Sequence, residues 1–270
     1  MKKISLIVTA LFILILAACG NKTEQDNKTI VIGAANVPHA EILEKAKPLL
    51  KKQGFDLKIK VFQDIVMPNK ALADKEIDAN YFQHVPYLES ENKEKGYNLV
   101  NAGAVHIEPF GIYSKNYKKV SDIKKNATIQ ISSNSADQGR ILMLLERENL
   151  ITFKKGVNKV TASIKDIDKN PKNITFKSPI DPGLLPKAYE NNEADLFAIN
   201  TNYALDSGLT PNKDALILEG SKSPYVNIVA VRKGDENSNK IKKLMSVLHS
   251  KEIQDFITDK YKGAVLPVTK

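Results

Sequence analysis

Arg140 follows Gly139 at the predicted start of a helix, in the stretch Ser133 to Arg140 (SNSADQGR). A guanidinium presents a planar fork that matches a carboxylate, and a helix N-terminus favours the same negative charge. The alternative is a surface arginine paired with Asp137 or Glu146. Asn200 and Asn227 stand in two later stretches rich in apolar residues. An asparagine carbonyl accepts from an ammonium while its amide donates to a carboxylate, although the same residue type also serves plain turns. Asn202 reads equally as a helix cap. Tyr81, Phe82 and Tyr87 add aromatic surface, and strand alternation between Tyr81 and Phe82 would send one of them into the core. His84 either bonds a ligand or fixes its own loop, Glu108 either compensates an ammonium or holds Arg140, and Tyr225 is a candidate wall.

A different chemistry competes for some of these positions. His39, His84, His106 and Glu108 would suit Zn²⁺ or Mn²⁺, but no histidine-rich loop accompanies them and the aromatics and Arg140 would then have no role. Hydrolytic and nucleotide chemistry has no support. No Gly-x-Ser-x-Gly elbow, HExxH helix or phosphate-binding Walker loop occurs, so an enzyme is not expected.

The elements that must position these residues begin after an export signal. Met1-Lys2-Lys3 is followed by a charge-free run from Ile4 to Ala18, too short for a membrane span, which leads into Cys19. Leu16-Ala17-Ala18-Cys19 resembles a bacterial lipoprotein box, in which the cysteine is lipidated after cleavage. Cys19 is the only cysteine, so if it carries lipid the mature chain has neither a disulfide nor a thiol nucleophile. Gly20 to Lys28 (GNKTEQDNK) is a polar tether. The net charge of +9 is spread among acids without an arginine-aromatic cluster. It suits a surface near anionic lipid headgroups and gives no sign of nucleic-acid binding.

The remaining body is written twice. Thr29 to Leu50 is strand, polar loop and amphipathic helix, with Ile42, Leu43, Ala46, Leu49 and Leu50 on one face. Ala127 to Arg147 repeats that order. Leu57 to Phe62 answers Asn173 to Phe176, Met67 to Ala71 answers Leu185 to Ala188, Lys75 to Ala79 answers Asn192 to Leu196, and Val100 to Tyr113 answers Leu218 to Val231. Two such halves predict two α/β lobes, each an open sheet covered by helices, with ligands bound where strands end. The stretches Asn36 to His39, Tyr81 to Tyr87, His106 to Phe110, Ser132 to Arg140, Asn200 to Tyr203 and Ser223 to Asn227 would then line one cleft. Phe110 to Tyr113 and Asn227 to Val231 are the expected hinges, and Ile241 to Asp255 a single helix returning to the first lobe. The division expected is leader 1–18, lipidated cysteine and tether 19–28, first lobe 29–111 plus 229–270, and second lobe 112–228.

Val31 to Pro48, IDANYFQHVPYL (Ile77 to Leu88), HIEPFGIYSK (His106 to Lys115), GRILMLLE (Gly139 to Glu146), INTNYA (Ile199 to Ala204) and SPYVNIVAVR (Ser223 to Arg232) occur in that order behind the lipid box. Together they resemble the methionine-binding lipoproteins of bacterial ABC importers. The resemblance implies a two-lobed type-II periplasmic-binding-protein fold on the outer face of the cell membrane, passing methionine to a permease driven by an ATPase. Tyr81, Phe82, His84, Tyr87, Glu108, Arg140, Asn200, Tyr225 and Asn227 are the ligand-binding residues it implies here. An aromatic chamber suits a thioether, and Arg140 and Asn227 should point into open solvent, so that their replacement spares the fold. One departure stands in the loop before Gly139-Arg140, where the family commonly carries an Asn-Asp-x-Thr-Asn-like sequence. That change leaves L-methionine, D-methionine and a short methionyl peptide open.

Overall fold

The computed structural model describes residues 28–221 and 223–268. Cys19 and nearly all of the tether lie outside them. The chain first lays down β1 (Thr29–Ala34), β2 (Asp56–Val61), β3 (Ala79–His84) and β4 (Leu99–Ile107). It then crosses to β5 (Gly111–Tyr113) and β6 (Thr128–Gln130), and makes a small ribbon of β7 (Thr152–Phe153) and β8 (Ile167–Lys169). β9 (Thr175–Phe176), β10 (Leu196–Ile199) and β11 (Ala215–Leu218) complete that region. It returns through β12 (Val226–Arg232) and ends on β13 (Leu266–Pro267).

Two sheets result, in the orders β13-β4-β12-β3-β1-β2 and β11-β5-β10-β6-β9. With β13 set aside they match strand for strand. β1 pairs in parallel with β2 and β3, as β6 does with β9 and β10. β12 runs antiparallel between β3 and β4, as β5 does between β10 and β11. The paired segments fall on β1 and β6, on β2 and β9, on the helices before β3 and β10, on the turns leading into those two strands, and on the crossings that enter β5 and β12, in the two-lobed fold expected.

Both faces of each sheet are covered, so inner strands such as β3 and β10 are buried along their whole length, and the polar Asn80 and Gln83 of β3 bond each other. In the first lobe one core gathers Ile30, Ile32, Ile42, Leu43 and Leu50 with Leu244 and Ile257, and the other face packs Leu72, Ile77, Leu88 and Ile228. In the second lobe Ile129, Ile141, Leu145 and Leu196 form one core, and Tyr113, Leu185, Phe197 and Ile199 the other. The helix Glu41–Lys52 buries Ile42, Leu43, Ala46 and Leu50, with Leu49 at the margin.

Three boundaries differ from expectation. Val226 already pairs with Ile107 and Asn227 with His84, because the apolar run there is one strand, so Val226, Asn227 and Ile228 belong to the first lobe and not the second. Gly111 lies in β5 of the second sheet, not in the first lobe. The crossings are therefore residues 108–110 and 219–225, and the expected hinge segments are largely held in sheets. The predicted single helix is two, Asn239–Leu248 and Lys251–Tyr261. His249 turns its Nε2 onto the Ala104 carbonyl at 2.6 Å and Ser250 becomes extended before the chain turns helical again.

Candidate functional site

A cleft of about 500 Å³ opens between the lobes at the strand ends. From the first lobe it takes Phe82, His84 and Tyr87, with Glu108 from a crossing and Asn227 from β12. From the second it takes Arg140 and Asn200. Asn227 stands where the register of β12 slips against β4, with a slip against β3 one residue further on, irregularities of the kind that re-aim a side chain.

Two sequence-predicted residues are not on the cleft wall. Tyr81 is wholly buried, with its hydroxyl on His106 Nδ1 and its ring 4.7 Å from that of His39. Alternation along β3 sends it to the core and leaves Phe82 facing the cleft. Tyr225 is also wholly buried, but its ring lies 4.5 Å from the Arg140 guanidinium and 5.1 Å from the His84 ring, so it backs the site without lining it.

Arg140 belongs to the helix Ser135–Arg147, started by Asn134, whose Oδ1 accepts from the Ala136 amide at 3.0 Å. It lies in the second turn, beyond the reach of the helix terminus, so its use to an anion rests on the guanidinium itself. Gly139 lets this helix approach the turn beside it. A Cβ at Gly139 would meet the carbonyl oxygens of Lys159 and Val160 at 2.4 Å. Arg140 is only 3 % exposed, which overturns the expectation of a freely solvated side chain. Its partner is Glu219 rather than Asp137 or Glu146. Nε donates to both Glu219 carboxylate oxygens at 3.2 Å, and Nη2 donates to the Glu108 carbonyl at 2.7 Å. Nη1 makes no hydrogen bond among the described residues.

The second charge of the site is negative. Asp137 is fully buried on the cleft wall, 3.8 Å from His84 Nε2, and receives only long contacts of 3.3 and 3.4 Å from Asn200 Nδ2. Asn200 Oδ1 is buried without a partner. His84 also fixes its loop, since Nδ1 accepts from the Tyr87 amide at 3.2 Å. Phe82 and Tyr87 pack edge to face with centroids 6.0 Å apart, and the Tyr87 hydroxyl is tied to the Ile65 carbonyl at 2.9 Å. Burial pushes that phenol well above its ordinary range, so Tyr87 stays neutral.

Glu108 is part of a buried relay beneath the cleft. Its Oε1 accepts from His106 Nε2 at 2.8 Å and lies 3.2 Å from His39 Nε2, whose hydrogen-bond partner is Asn227 Oδ1 at 3.0 Å. With acceptors on that side of both rings, both Nε2 atoms carry their protons, and His106 Nδ1 accepts from Tyr81. Burial lowers His39 to about 4, partly opposed by the Glu108 charge, and lowers His106 to about 3. Burial raises Glu108, opposed chiefly by His39 and Arg140. Among the four expected metal donors, His39, His106 and Glu108 do come together, within 4.8 Å, but His84 pairs with Asp137 instead.

Sequence reasoning missed Glu219 as the partner of Arg140, because 79 residues separate them and no spacing links them. It also undervalued Asp137, which it had placed only as an ion partner. The cleft is further lined by Asn134, Thr201 and Tyr203, all in or beside stretches singled out for other members. The stretch Asn36 to His39 lines an adjoining chamber of about 380 Å³ through Asn36 and Val37, and Asn36 Nδ2 reaches Asp206 of the second lobe at 2.7 Å.

The family model described as NlpA lipoprotein matches residues 30–269. The chain is 58% identical over 260 residues to a methionine-binding lipoprotein MetQ of Bacillus subtilis, covering 95% of this chain and 94% of that one. A crystal structure of a Bacillus subtilis lipoprotein described as methionine-binding superposes with a TM-score of 0.88 at 59% identity, over 90% of this chain and 99% of that one. A nutrient-binding protein of Burkholderia cenocepacia, solved bound to methionine, gives 0.83 at 36% identity over 88% and 99%.

Proposed function

The chain belongs to the NlpA lipoprotein family, and from that membership and the chemistry of the cleft we propose that it captures methionine on the outer face of the cell membrane. It then hands the ligand to the permease of an ABC importer whose cytoplasmic ATPase drives uptake. It is a binding protein, with no catalytic step. The observation that carries the reading is one cleft holding a buried cation, a buried anion and an aromatic wall: Arg140, Asp137, and Phe82 with Tyr87.

A free amino acid needs those three things. Its carboxylate takes Arg140 Nη1 and the side-chain Nδ2 of Asn227, which makes no hydrogen bond among the described residues. Its ammonium takes Asp137 and the orphaned Asn200 Oδ1, an acceptor that costs about 1–3 kcal/mol while unpaired. The thioether lies against Phe82 and Tyr87, where polarizable sulfur and aromatic rings attract. Glu108 and His84 position the floor and the loop.

Methionine added to the protein lacking residues 1–19 is expected to raise its unfolding free energy by about 2.7 kcal/mol at a hundredfold excess over the dissociation constant. A thermal-shift titration reads this directly. Leucine should give much less, and parallel L- and D-methionine titrations fix the configuration. Stabilisation by Zn²⁺ that EDTA reverses, with none from methionine or methionyl peptides, would transfer the site to the metal reading.

Attachment rests on Cys19, which lies outside the described residues, and on membrane lipoproteins among the relatives. No helix among the described residues is long and apolar enough to cross a membrane. Full-length protein should fractionate with membranes and need detergent for release, and Cys19→Ala should abolish that retention. Unchanged retention and mature size in the variant would refute lipidation at Cys19.

A further inference from the structure

Arg140 is held by more groups than carboxylate recognition requires, and they come from both crossings. From the first crossing the Glu108 carbonyl accepts Nη2 at 2.7 Å, and the Phe110 ring lies 5.2 Å from the guanidinium. From the second, Glu219 takes Nε at 3.2 Å and also Nη2, and the Tyr225 ring stacks at 4.5 Å. Glu219 in turn fastens the crossings to each other. Its amide donates to the Phe110 carbonyl at 2.9 Å, while its Oε2 accepts the Phe110 amide at 3.1 Å. Its Oε1 accepts the Ser223 hydroxyl at 3.0 Å, and Ser223 Oγ accepts the Tyr225 amide at 3.1 Å. The Glu219 side chain is 11% exposed, so these bonds meet little competition from water.

We propose that Glu219 is the positioning residue of the carboxylate site. It grips Arg140 by the Nε and Nη2 edge, pins that grip to both crossings, and leaves Nη1 as the end presented to the ligand. The proposal rests on the reading of the cleft as a methionine site. It assigns to Glu219 the orientation of one ligand group, the carboxylate, and no part in holding the thioether or the ammonium. An arginine released from that edge keeps its charge but loses its fixed direction, and a bidentate or end-on partner is only as strong as its geometry.

The test is calorimetric titration of L-methionine and L-methioninol, in which the carboxylate is replaced by an alcohol, into wild type, Glu219→Gln and Ser223→Ala. Wild type should prefer methionine by roughly a hundredfold, the worth of one buried charged partner. In Glu219→Gln the glutamine keeps the shape and loses the charge. Methionine should weaken by roughly tenfold while methioninol changes little, so the preference shrinks by that factor. Ser223→Ala removes only the brace on Oε1 and should move the preference the same way by roughly twofold. It decides the matter alone if the glutamine variant does not fold. Equal weakening of both ligands, or a preference kept at the wild-type value, overturns the role of Glu219 while leaving the methionine reading intact. A wild type with no preference for methionine over methioninol overturns the carboxylate reading itself, and this proposal with it.

Discussion

Replacing Arg140 by alanine is expected to weaken methionine binding by about 2–5 kcal/mol, because a buried charged partner is lost. The same change should also destabilise the ligand-free protein by about 3–5 kcal/mol, since it strands the Glu219 carboxylate in a buried site. Sequence reasoning expected the first effect without the second. The difference lies in the 3% exposure of Arg140 and in Glu219, whose other partners, the Phe110 N–H and the Ser223 hydroxyl, are neutral and leave its charge unmatched. Urea unfolding of the ligand-free variant, alongside calorimetry on its folded fraction, separates the two losses. Normal methionine affinity in the variant would remove Arg140 from the binding site, whatever happened to its stability.

Acidification is expected to produce the other large effect. His39 and His106 are held near 4 and 3 in the folded protein, against an ordinary value of 6.5. Below pH 6.5 the unfolded chain therefore binds protons that the folded relay refuses, and stability falls as pH falls toward 4. At roughly 1.4 kcal/mol for each pH unit of depression, the two rings together account for several kcal/mol. Glu108 works the other way. Its carboxyl is raised by burial, so the folded state takes one proton more readily there than the unfolded chain does. Two refusals against one uptake leave acid destabilising. The melting temperature should drop steeply between pH 6.5 and 4, and His106→Gln should flatten the drop. An equal slope in that variant would mean that other carboxylates carry the acid sensitivity.

The fold was legible in the chain because the duplication was. The five strands of one main sheet, β13 set aside, have their counterparts in the other, and weak similarities in five places agreed on a single order. Boundaries were less legible where the chain changes sheets. Val226 to Arg232 reads as one apolar strand, but nothing local says which sheet receives it; that is decided by β3 and β4, far away in sequence. In the site, Arg140, Asn200, Asn227 and Phe82 could be found from side-chain chemistry and the family resemblance. Tyr81 could not be told from Phe82, since alternation says only that one of them turns inward. Glu219 was invisible, because a buried ion pair between distant residues leaves no periodic trace. Asp137 was visible only as a charge, because its place beside His84 of the other lobe and Asn200 of its own is a matter of tertiary contact.

The place of β12 between β3 and β4 has a bearing on how the protein is made. The second lobe is contiguous, from β5 to β11, and each of its strands finds its neighbours within that span. The first lobe is not. β4 cannot settle beside β3, because the position between them belongs to a strand that follows the whole second lobe in the chain. Long-range pairing of this kind is slow to form. The N-terminal lobe, which follows the end proposed to carry lipid, would then be the last to close. The newly made protein is thus expected to be a finished second lobe held beside an unfinished first one, with the open edges of β3 and β4 exposed until Asn227 and its neighbours arrive to fill the gap.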